Sequence, residues 1–293
     1  MPITLSQLTT FLAVARTGSV TMAAEQLVVT QPSVSAALSA LSRELGVALT
    51  RKVGRRITLT AAGEEFVPFA TAALGQLDQG RRAAREAASS VGRLVRVAAV
   101  TTAAESLMPR LMQQFAAAHP EIELTLEVGN RKRCFQQVLD GLADVAIGGS
   151  PPGDGRLAAK PFLSNEVVLI VSSDDELAGR RSVSWDAAAE RTWLLREEGS
   201  GTRMLVLNLL AEHDVQPRTL TIGSNGAIKH AVRIGLGISL QSRIAVELEL
   251  ESGVLAIARL RGLPVRDWHV LWSAAGAVRE PVRTFLAFVQ GDD

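Results

Sequence analysis

The stretch from Ser19 to Arg56 constrains this chain more than any other. It reads Ser19-Val-Thr-Met-Ala-Ala-Glu-Gln-Leu27, then Val28-Val-Thr-Gln-Pro-Ser-Val-Ser-Ala-Ala-Leu38-Ser-Ala-Leu41, and ends on Gly54-Arg55-Arg56. Ser19 or Thr21 caps a short helix that turns Ala23, Ala24 and Leu27 inward. Two small alanines let a following helix cross closely at a steep angle. Thr30-Gln31-Pro32 is the turn and cap of that next helix, where proline fits because the first helical N–H is unpaired anyway. Val34, Leu38, Leu41 and Leu45 recur at helical spacing and form its inner face. Gly46 ends it. Upstream, residues 4–16 read as a helix capped by Thr4 or Ser6, with Leu5, Leu8, Phe11, Leu12 and Ala15 on one face and Gly18 as its stop. Downstream, Val47–Thr50, a tip from Lys52 to Arg56, and Ile57–Thr60 read as a small β-hairpin. Helix, tight turn, second helix and basic tip together are a device for laying a helix in the DNA major groove.

The candidate DNA contacts follow. The outer face of the helix after Pro32 shows Ser33, Ser35, Ala36 and Ser39, short side chains that allow approach to base edges and phosphates. Thr21, Gln31 and Pro32 stand at the two helix starts, and Arg55 and Arg56 at the hairpin tip can reach phosphate or the minor groove. The bland alternative is a solvated helix surface and a cap. Charge bears on the choice. Residues 1–60 hold six basic side chains against two acidic ones, a net of +4, in a chain whose total is +1. The remaining residues therefore carry −3, and a basic end on an acidic body is an address for an anion such as DNA.

Several classes are excluded or disfavoured. Cys134 is the one cysteine, so there is no intramolecular disulfide and no thiolate cluster, and a structural thiol is the reading taken. His119, His213, His230 and His269 lack metal-ligand spacing. No Ser/His/Asp set or carboxylate pair stands out, so neither an enzyme nor a metal or other cofactor is expected. With no tyrosine, an aromatic RNA-stacking surface is disfavoured. The N-terminus lacks the features of a secretory signal, and no window has the ~18–20 apolar residues of a membrane span. The expected location is the cytoplasm, with no membrane partner.

Residues 60–90 read as one long helix with a seam of Ala62, Phe66, Phe69, Ala73, Leu77 and Ala84. An isolated helix cannot bury such a seam alone, and a second copy is the simplest partner. Pro68 inside it is expected to kink it or to raise its cost. Ser89-Ser90-Val-Gly92 reads as a hinge and domain boundary. Beyond it the pattern becomes α/β: strands at 94–100, 122–128 and 143–149, helices at 106–119 and 133–141. A second unit has strands at 167–171, 193–195, 219–222 and 235–240, with helices at 201–212 and 225–233. The chain then returns to the first unit through a strand at 267–272 and a helix at 280–289. Two such lobes joined by crossing segments make a clamshell with ligand positions at the carboxyl ends of its strands.

Four stretches offer polar groups at those positions: Thr101-Thr102, Gly149-Ser150, Ser200 with Thr202, and Asn225 after Ser224. Gln241 is a further candidate. Free N–H groups at a helix start favour a carboxylate or phosphate, so a small anion is the expected ligand. Taken singly, each stretch is equally well a cap or a turn.

The order of motifs resembles the LysR-type transcriptional regulators. The pieces are Leu8-x-x-Phe11, Gly18-Ser19, Ala23-Ala24-x-x-Leu27, Thr30-Gln31-Pro32-Ser33-Val34-Ser35, Leu45-Gly46, Arg55-Arg56 and Leu59-Thr60-x-x-Gly63 in the head. Behind it stand Leu107-Met-Pro109, Phe115-x-x-x-His-Pro120, Gly141-x-x-Asp144-x-Ala-Ile147 and Val232-x-x-Gly235-x-Gly-Ile238. The stretch 196–203 resembles the Calvin-cycle and one-carbon operon regulators of that family. Ala36 stands where the family often has arginine or a polar residue, and Thr50 where it usually has phenylalanine. The resemblance implies a winged helix-turn-helix over 1–59, a linker helix that dimerises over 60–90, and a two-lobed, periplasmic-binding-protein-like α/β effector domain over 91–293. Its lobes are expected at about 91–162 with 265–293, and at about 163–264. The implied partners are double-stranded DNA, a small-molecule effector and further copies of the chain as a dimer of dimers. A solute-binding module without a regulatory role and an enzyme using the cleft are the alternatives.

Overall fold

The structure is a computed structural model and describes residues 2–54, 56–88 and 93–291. Its contacts divide into an N-terminal and a C-terminal compact unit.

The N-terminal unit runs α1 (Leu5–Thr17), α2 (Val20–Leu27), α3 (Gln31–Leu45), β1 (Thr50–Val53), β2 (Arg56–Leu59) and α4 (Ala61–Ala88). Hydroxyl caps start its first three helices. Thr4 forms a capping box with Gln7, Ser19 accepts from the Met22 N–H and Thr30 from the Ser33 N–H, each contributing about 1 kcal/mol. Phe11, Ala23, Val34, Leu41 and Leu49 form the core. Ala23 is fully buried, as a close helix crossing requires.

The hairpin lies later than expected. The Val47 N–H turns back to the Ser42 carbonyl and belongs to the helix exit. Pairing starts at Thr50–Leu59 and ends at Val53–Arg56, so Lys52 and Arg56 lie on strands instead of at the tip. Arg55 lies outside the described residues. The Ile57 N–H bonds to Gly18 O at 2.9 Å and ties the hairpin to the first interhelical turn. Thr60 caps α4, accepting from the Gly63 N–H at 3.0 Å. Gly63 is required there, because a Cβ would stand 2.0 Å from the Leu49 carbonyl oxygen.

The expected seam on α4 splits into two faces. Ala62, Phe66, Ala70 and Leu74 pack into the head's own core, with the Phe66 ring 5.6 Å from Phe11. Phe69, Ala73, Leu77 and Ala84 are exposed. A spacing that drifts between three and four steps from one face of a straight helix to another. Pro68 sits inside α4 without ending it. The expected hinge at 89–92 lies outside the described residues.

The first lobe of the C-terminal unit contains β3 (Arg93–Val100), α5 (Thr101–Ser106), α6 (Met108–Ala118), β4 (Ile122–Gly129), α7 (Arg131–Leu139), β5 (Val145–Gly148) and β6 (Leu157–Asn165). The second contains β7 (Val167–Ser172), α8 (Trp185–Ala189), β8 (Trp193–Leu195), α9 (Gly201–Glu212), β9 (Thr219–Thr221), α10 (Asn225–Arg233), β10 (Ser239–Ser242), a 3-10 turn at Arg243–Ala245, α11 (Glu247–Glu251) and β11 (Leu255–Ala258). The chain returns to the first lobe through β12 (Arg266–Ser273) and α12 (Glu280–Gln290).

The first sheet has the order β4-β3-β5-β12-β6, with β12 antiparallel to its neighbours. In the second lobe β10-β7-β11 and β8-β9 are joined by the Trp193–Ile238 bridge. The strand order is thus repeated, and equivalent strand ends from the two lobes face each other.

Four differences from the sequence reading have physical causes. The helix expected at 106–119 is α6 over Met108–Ala118, and the short α5 before it was not foreseen; Pro109 sits in the first turn of α6, where its missing N–H costs nothing, and separates the two. α7 starts two residues early, where Asn130 Oδ1 accepts from the Arg133 N–H. The strand expected at 235–240 starts at Ser239, because Gly235 turns the chain with φ 78°. The first lobe extends to Asn165, since β6, unforeseen, pairs with β12 through eight of its nine residues.

Asp144 locks the first lobe from inside. Its carboxylate meets Arg96 Nη2 at 2.9 Å and Arg279 Nη2 at 2.9 Å, and all but Arg96 are nearly fully buried. Burial by itself would raise this carboxyl; the Arg96 hydrogen bond and the Arg279 charge overcome it and hold it below its ordinary value.

Candidate functional site

In the head, α3 turns Val34, Leu38 and Leu41 inward and leaves Pro32, Ser35, Ala36 and Ser39 exposed. That exposed set has the i, i+3, i+4, i+7 spacing of one helix face, and it continues to exposed Arg43. Gln31, Ser33 and Thr21 are also exposed. Ser33 is partly committed: its hydroxyl lies 2.8 Å from the Thr30 hydroxyl. Arg51, Lys52 and Arg56 are exposed on the hairpin strands. The outer face of α3 is therefore narrow and almost neutral, with the positive charge beside it.

In the C-terminal unit a cleft opens where the strand ends of the two lobes meet. Thr101, Thr102, Gly149, Ser200, Thr202 and Gln241 line it. Asn225 and Ser150 do not. Asn225 is buried behind the wall, where its Nδ2 donates to Thr102 Oγ1 at 3.0 Å and its Oδ1 accepts from Arg196. Ser150 is exposed, and its carbonyl accepts from Arg131 Nη2 at 2.9 Å.

Three guanidinium groups reach the cleft, none of them singled out from the sequence. Arg196 is neutralised: its Nε meets Glu197 at 2.8 Å, and Nη2 donates to Thr101 Oγ1 at 3.4 Å. Arg131 and Arg266 are not. The Arg131 guanidinium lies 4.6 Å above the Phe135 ring and, among the described residues, bonds only to the Ser150 carbonyl. The Arg266 guanidinium has no hydrogen-bond or ion-pair partner among the described residues. Burial lowers the pKa of both groups, and for Arg266 the Arg131 charge lowers it further. Two desolvated like charges facing one space leave that space strongly positive. Gly149 makes the room, since a Cβ there would stand 3.0 Å from Arg266 Nη2.

The second lobe adds neutral donors. Ser200 caps α9 with its hydroxyl, so the N–H groups of Gly201 and Thr202 at the helix start have no intrahelical partner. The lobes also touch at the rim: Asn130 Nδ2 donates to Glu198 O at 3.3 Å and the Lys132 N–H to Gly199 O at 3.2 Å. The free volume between them is about 50 Å³, room for a few waters at about 10–15 Å³ each. The cleft is nearly shut.

Arg131 was legible in principle, because Gly129-Asn130-Arg131 repeats the strand-end, helix-start pattern that marked Thr101. Arg266 was not, because it arrives on a strand returning from the other lobe. Cys134 is buried and its thiol is pushed up to about 11 by that burial, the state of an inert thiol. No helix among the described residues is long and apolar enough to cross a membrane.

Comparison with known proteins agrees with this architecture. Residues 5–64 match the bacterial regulatory helix-turn-helix proteins of the lysR family, and residues 88–292 match the LysR substrate binding domain. The HTH-type transcriptional activator CmpR of Synechocystis sp. is 33% identical over 99% of this chain and 96% of its own length. A RuBisCO operon transcriptional regulator of Allochromatium vinosum is 36% identical over 96% of this chain and 95% of its own. Among solved structures, the CcmR regulatory domain of Synechocystis PCC6803 in complex with 2-PG has a TM-score of 0.65. It is 33% identical and covers 69% of this chain and 97% of that one. The chain belongs to the LysR family of bacterial helix-turn-helix transcriptional regulators.

Proposed function

We propose that this regulator reads DNA through α3 and the hairpin and is controlled by a small organic anion held between the lobes of its C-terminal unit. The guanidinium pair Arg131 and Arg266, with no ion-pair partner among the described residues, carries the reading. Two half-buried cations without counter-ions are costly, and an anion that enters between them removes the cost. The amides of Gly201 and Thr202 and the hydroxyls of Thr101, Ser200 and Thr202 supply further donors. Complex formation by the CcmR domain with 2-PG favours an acid of that size. The rim contacts must open for entry and re-form behind the ligand, so the anion favours the closed arrangement by its differential affinity.

The division of labour follows the sequence reading: residues 1–59 bind DNA, 60–90 link and dimerise, and 91–293 bind the effector. Exposed Phe69 and Leu77 on α4 offer a second copy an apolar strip, and a dimer presents two α3 helices to two half-sites. The relatives are named as regulators, and we place this chain with them in the cytoplasm as a regulator without catalytic activity.

The test is titration of the full chain with 2-PG while following its melting temperature and its binding to fragments selected from a random DNA pool. The expected result is saturable stabilisation, a sequence preference that weakens with salt, and a changed DNA affinity with ligand. No sequence preference at any salt sinks the DNA reading. No stabilisation by 2-PG, inorganic phosphate or other small acids sinks the anion reading.

A further inference from the structure

A second cavity, of about 630 Å³, lies within the C-terminal unit and is absorbed by nothing above. Both lobes line it. The first contributes the end of α5, the start of α6 and β6; the second contributes Lys229 of α10, the 3-10 turn and α11. Its apolar wall is made by Leu111, Ile147, Phe162, Leu163, Ile244 and Leu248. Acidic side chains dominate the rest. Lys229 is spent on Glu249 at 2.7 Å and on the Ala245 carbonyl at 3.0 Å. That leaves Glu105, Glu247 and Glu251 without ion-pair partners among the described residues, against Arg110 alone. The remaining balance is −2, opposite in sign to the anion cleft.

The two cavities share walls. Thr101 and Thr102 at the head of α5 line the cleft, and Glu105 and Ser106 at its foot line the second cavity. Asn165 lines the cleft and Leu163, two residues earlier on β6, lines the cavity. Gln241 and Ser242 line the cleft; Ile244 and Ala245, one residue further on past Arg243, line the cavity. These three segments thus join the lining of one cavity to the lining of the other.

We propose that this second cavity is a regulatory site for a small apolar cation, an aryl-alkyl or alkyl amine, that acts on the opening of the anion cleft. The apolar wall takes the hydrocarbon body. The ammonium faces Glu105, Glu247 and Glu251, with the Phe162 ring in the same wall available to a cation. Anions are repelled by the same carboxylates. This second site does not depend on the anion reading of the cleft.

The experiment uses the full chain and phenethylammonium chloride as the probe, with 2-phenylethanol and phenylacetate as neutral and anionic counterparts. Calorimetry is expected to show one saturable site for the ammonium, binding about ten-fold weaker for the alcohol, and none for the acid, ten-fold being ~1.4 kcal/mol. Two variants probe the wall: Leu248→Lys, at a side chain 78% exposed and hence dispensable for folding, and Glu247→Gln with Glu251→Gln. Each is expected to weaken the ammonium about ten-fold with an unchanged melting temperature. The regulatory part is read at the Lys132 amide, whose bond to Gly199 O closes the rim. Its hydrogen-exchange protection is expected to change several-fold when the ammonium saturates. Equal binding of all three probes, no saturable ammonium binding, or binding untouched by both variants overturns the site. Conversion of the oligomer to a smaller species by Leu248→Lys also overturns it, because a second copy then covers the cavity. Unchanged Lys132 exchange overturns the regulatory role.

Discussion

Asn225 and Thr102 bond to each other across the two lobes, Nδ2 to Oγ1 at 3.0 Å, although 123 positions separate them in the chain. Each stands at the start of a helix, α10 in one lobe and α5 in the other, and both are buried. The same amide accepts from Arg196, which also donates to Thr101. Helix starts that sequence reading treats as separate ligand donors are here partly spent on each other, as struts between the lobes.

Asn225→Ala should therefore act on stability before it acts on the ligand. It leaves the Thr102 hydroxyl and one Arg196 nitrogen buried without a partner, a loss of about 1–3 kcal/mol. Thermal melting should fall in the absence of any anion, and anion affinity should fall with it because closure loses a strut. Unchanged melting would show that Asn225 faces the ligand alone.

Arg266→Gln should separate stability from binding in the opposite sense. It removes an unpaired cation that sits against Arg131, so melting in anion-free buffer should hold or rise, while stabilisation by 2-PG or phosphate disappears. Sulfate should raise the melting temperature of the wild type more than that of the variant. A variant that melts lower yet still responds to anions would place Arg266 in packing and not in the site.

How much of this was legible depends on whether the signal was local. Helix starts were readable to the residue at Gly201 and Asn225, because a hydroxyl cap and the following apolar period are written within four positions. The cleft-lining positions of Thr101 and Ser200 were readable for the same reason. The charges that dominate the cleft were not. Arg266 reaches it only because β12 pairs antiparallel with β5 and β6, and Arg196 is disarmed by its neighbour Glu197, a contact a linear reading does not weigh. The face of α4 failed for a related cause. Phe66 belongs to the head core through Phe11, fifty-five positions earlier, and no periodicity within α4 records that.

Asp144→Asn should cost the C-terminal unit about 3–5 kcal/mol, because Arg96 and Arg279 are left facing each other in a buried place. The sign with pH follows from the direction of the shift. A carboxyl held below its unfolded value of about 3.9 contributes stability that is fully present above that pH and is lost as pH falls through the folded value. The wild type should lose melting temperature in that acid window, and the variant should be flatter across it. Parallel acid curves would show that other carboxylates govern acid unfolding.

The narrow face of α3 predicts two classes of DNA defect. Arg43→Ala should weaken all sequences alike and lower the salt slope by about one. Gln31→Ala should instead alter preference at one base pair, by about 1–3 kcal/mol. Competition binding with single-base variants of a selected site, repeated at several salt concentrations, distinguishes the two. A uniform loss for both residues would mean that α3 positions the head while specificity comes from DNA shape.

Val28 provides the last test. It ends α2 in the left-handed region, φ 56° and ψ 46°, with a β-branched side chain that is 90% exposed. Nothing packs on it to offset a conformation that costs an L-residue about 1–2 kcal/mol. The tight turn requires it, since the Val28 N–H closes onto the Ala24 and Glu25 carbonyls and the Val29 N–H onto Ala24. Val28→Asn or Val28→Gly keeps those bonds and relieves the strain, so the head should gain up to about 1 kcal/mol. Amide exchange across α2 and α3 in the full chain should slow by a corresponding factor of about five. The fold does not need valine here, so slower exchange with unchanged DNA binding would mark the strain as incidental. Slower exchange with weakened DNA binding would mean that the exposed methyls touch the operator.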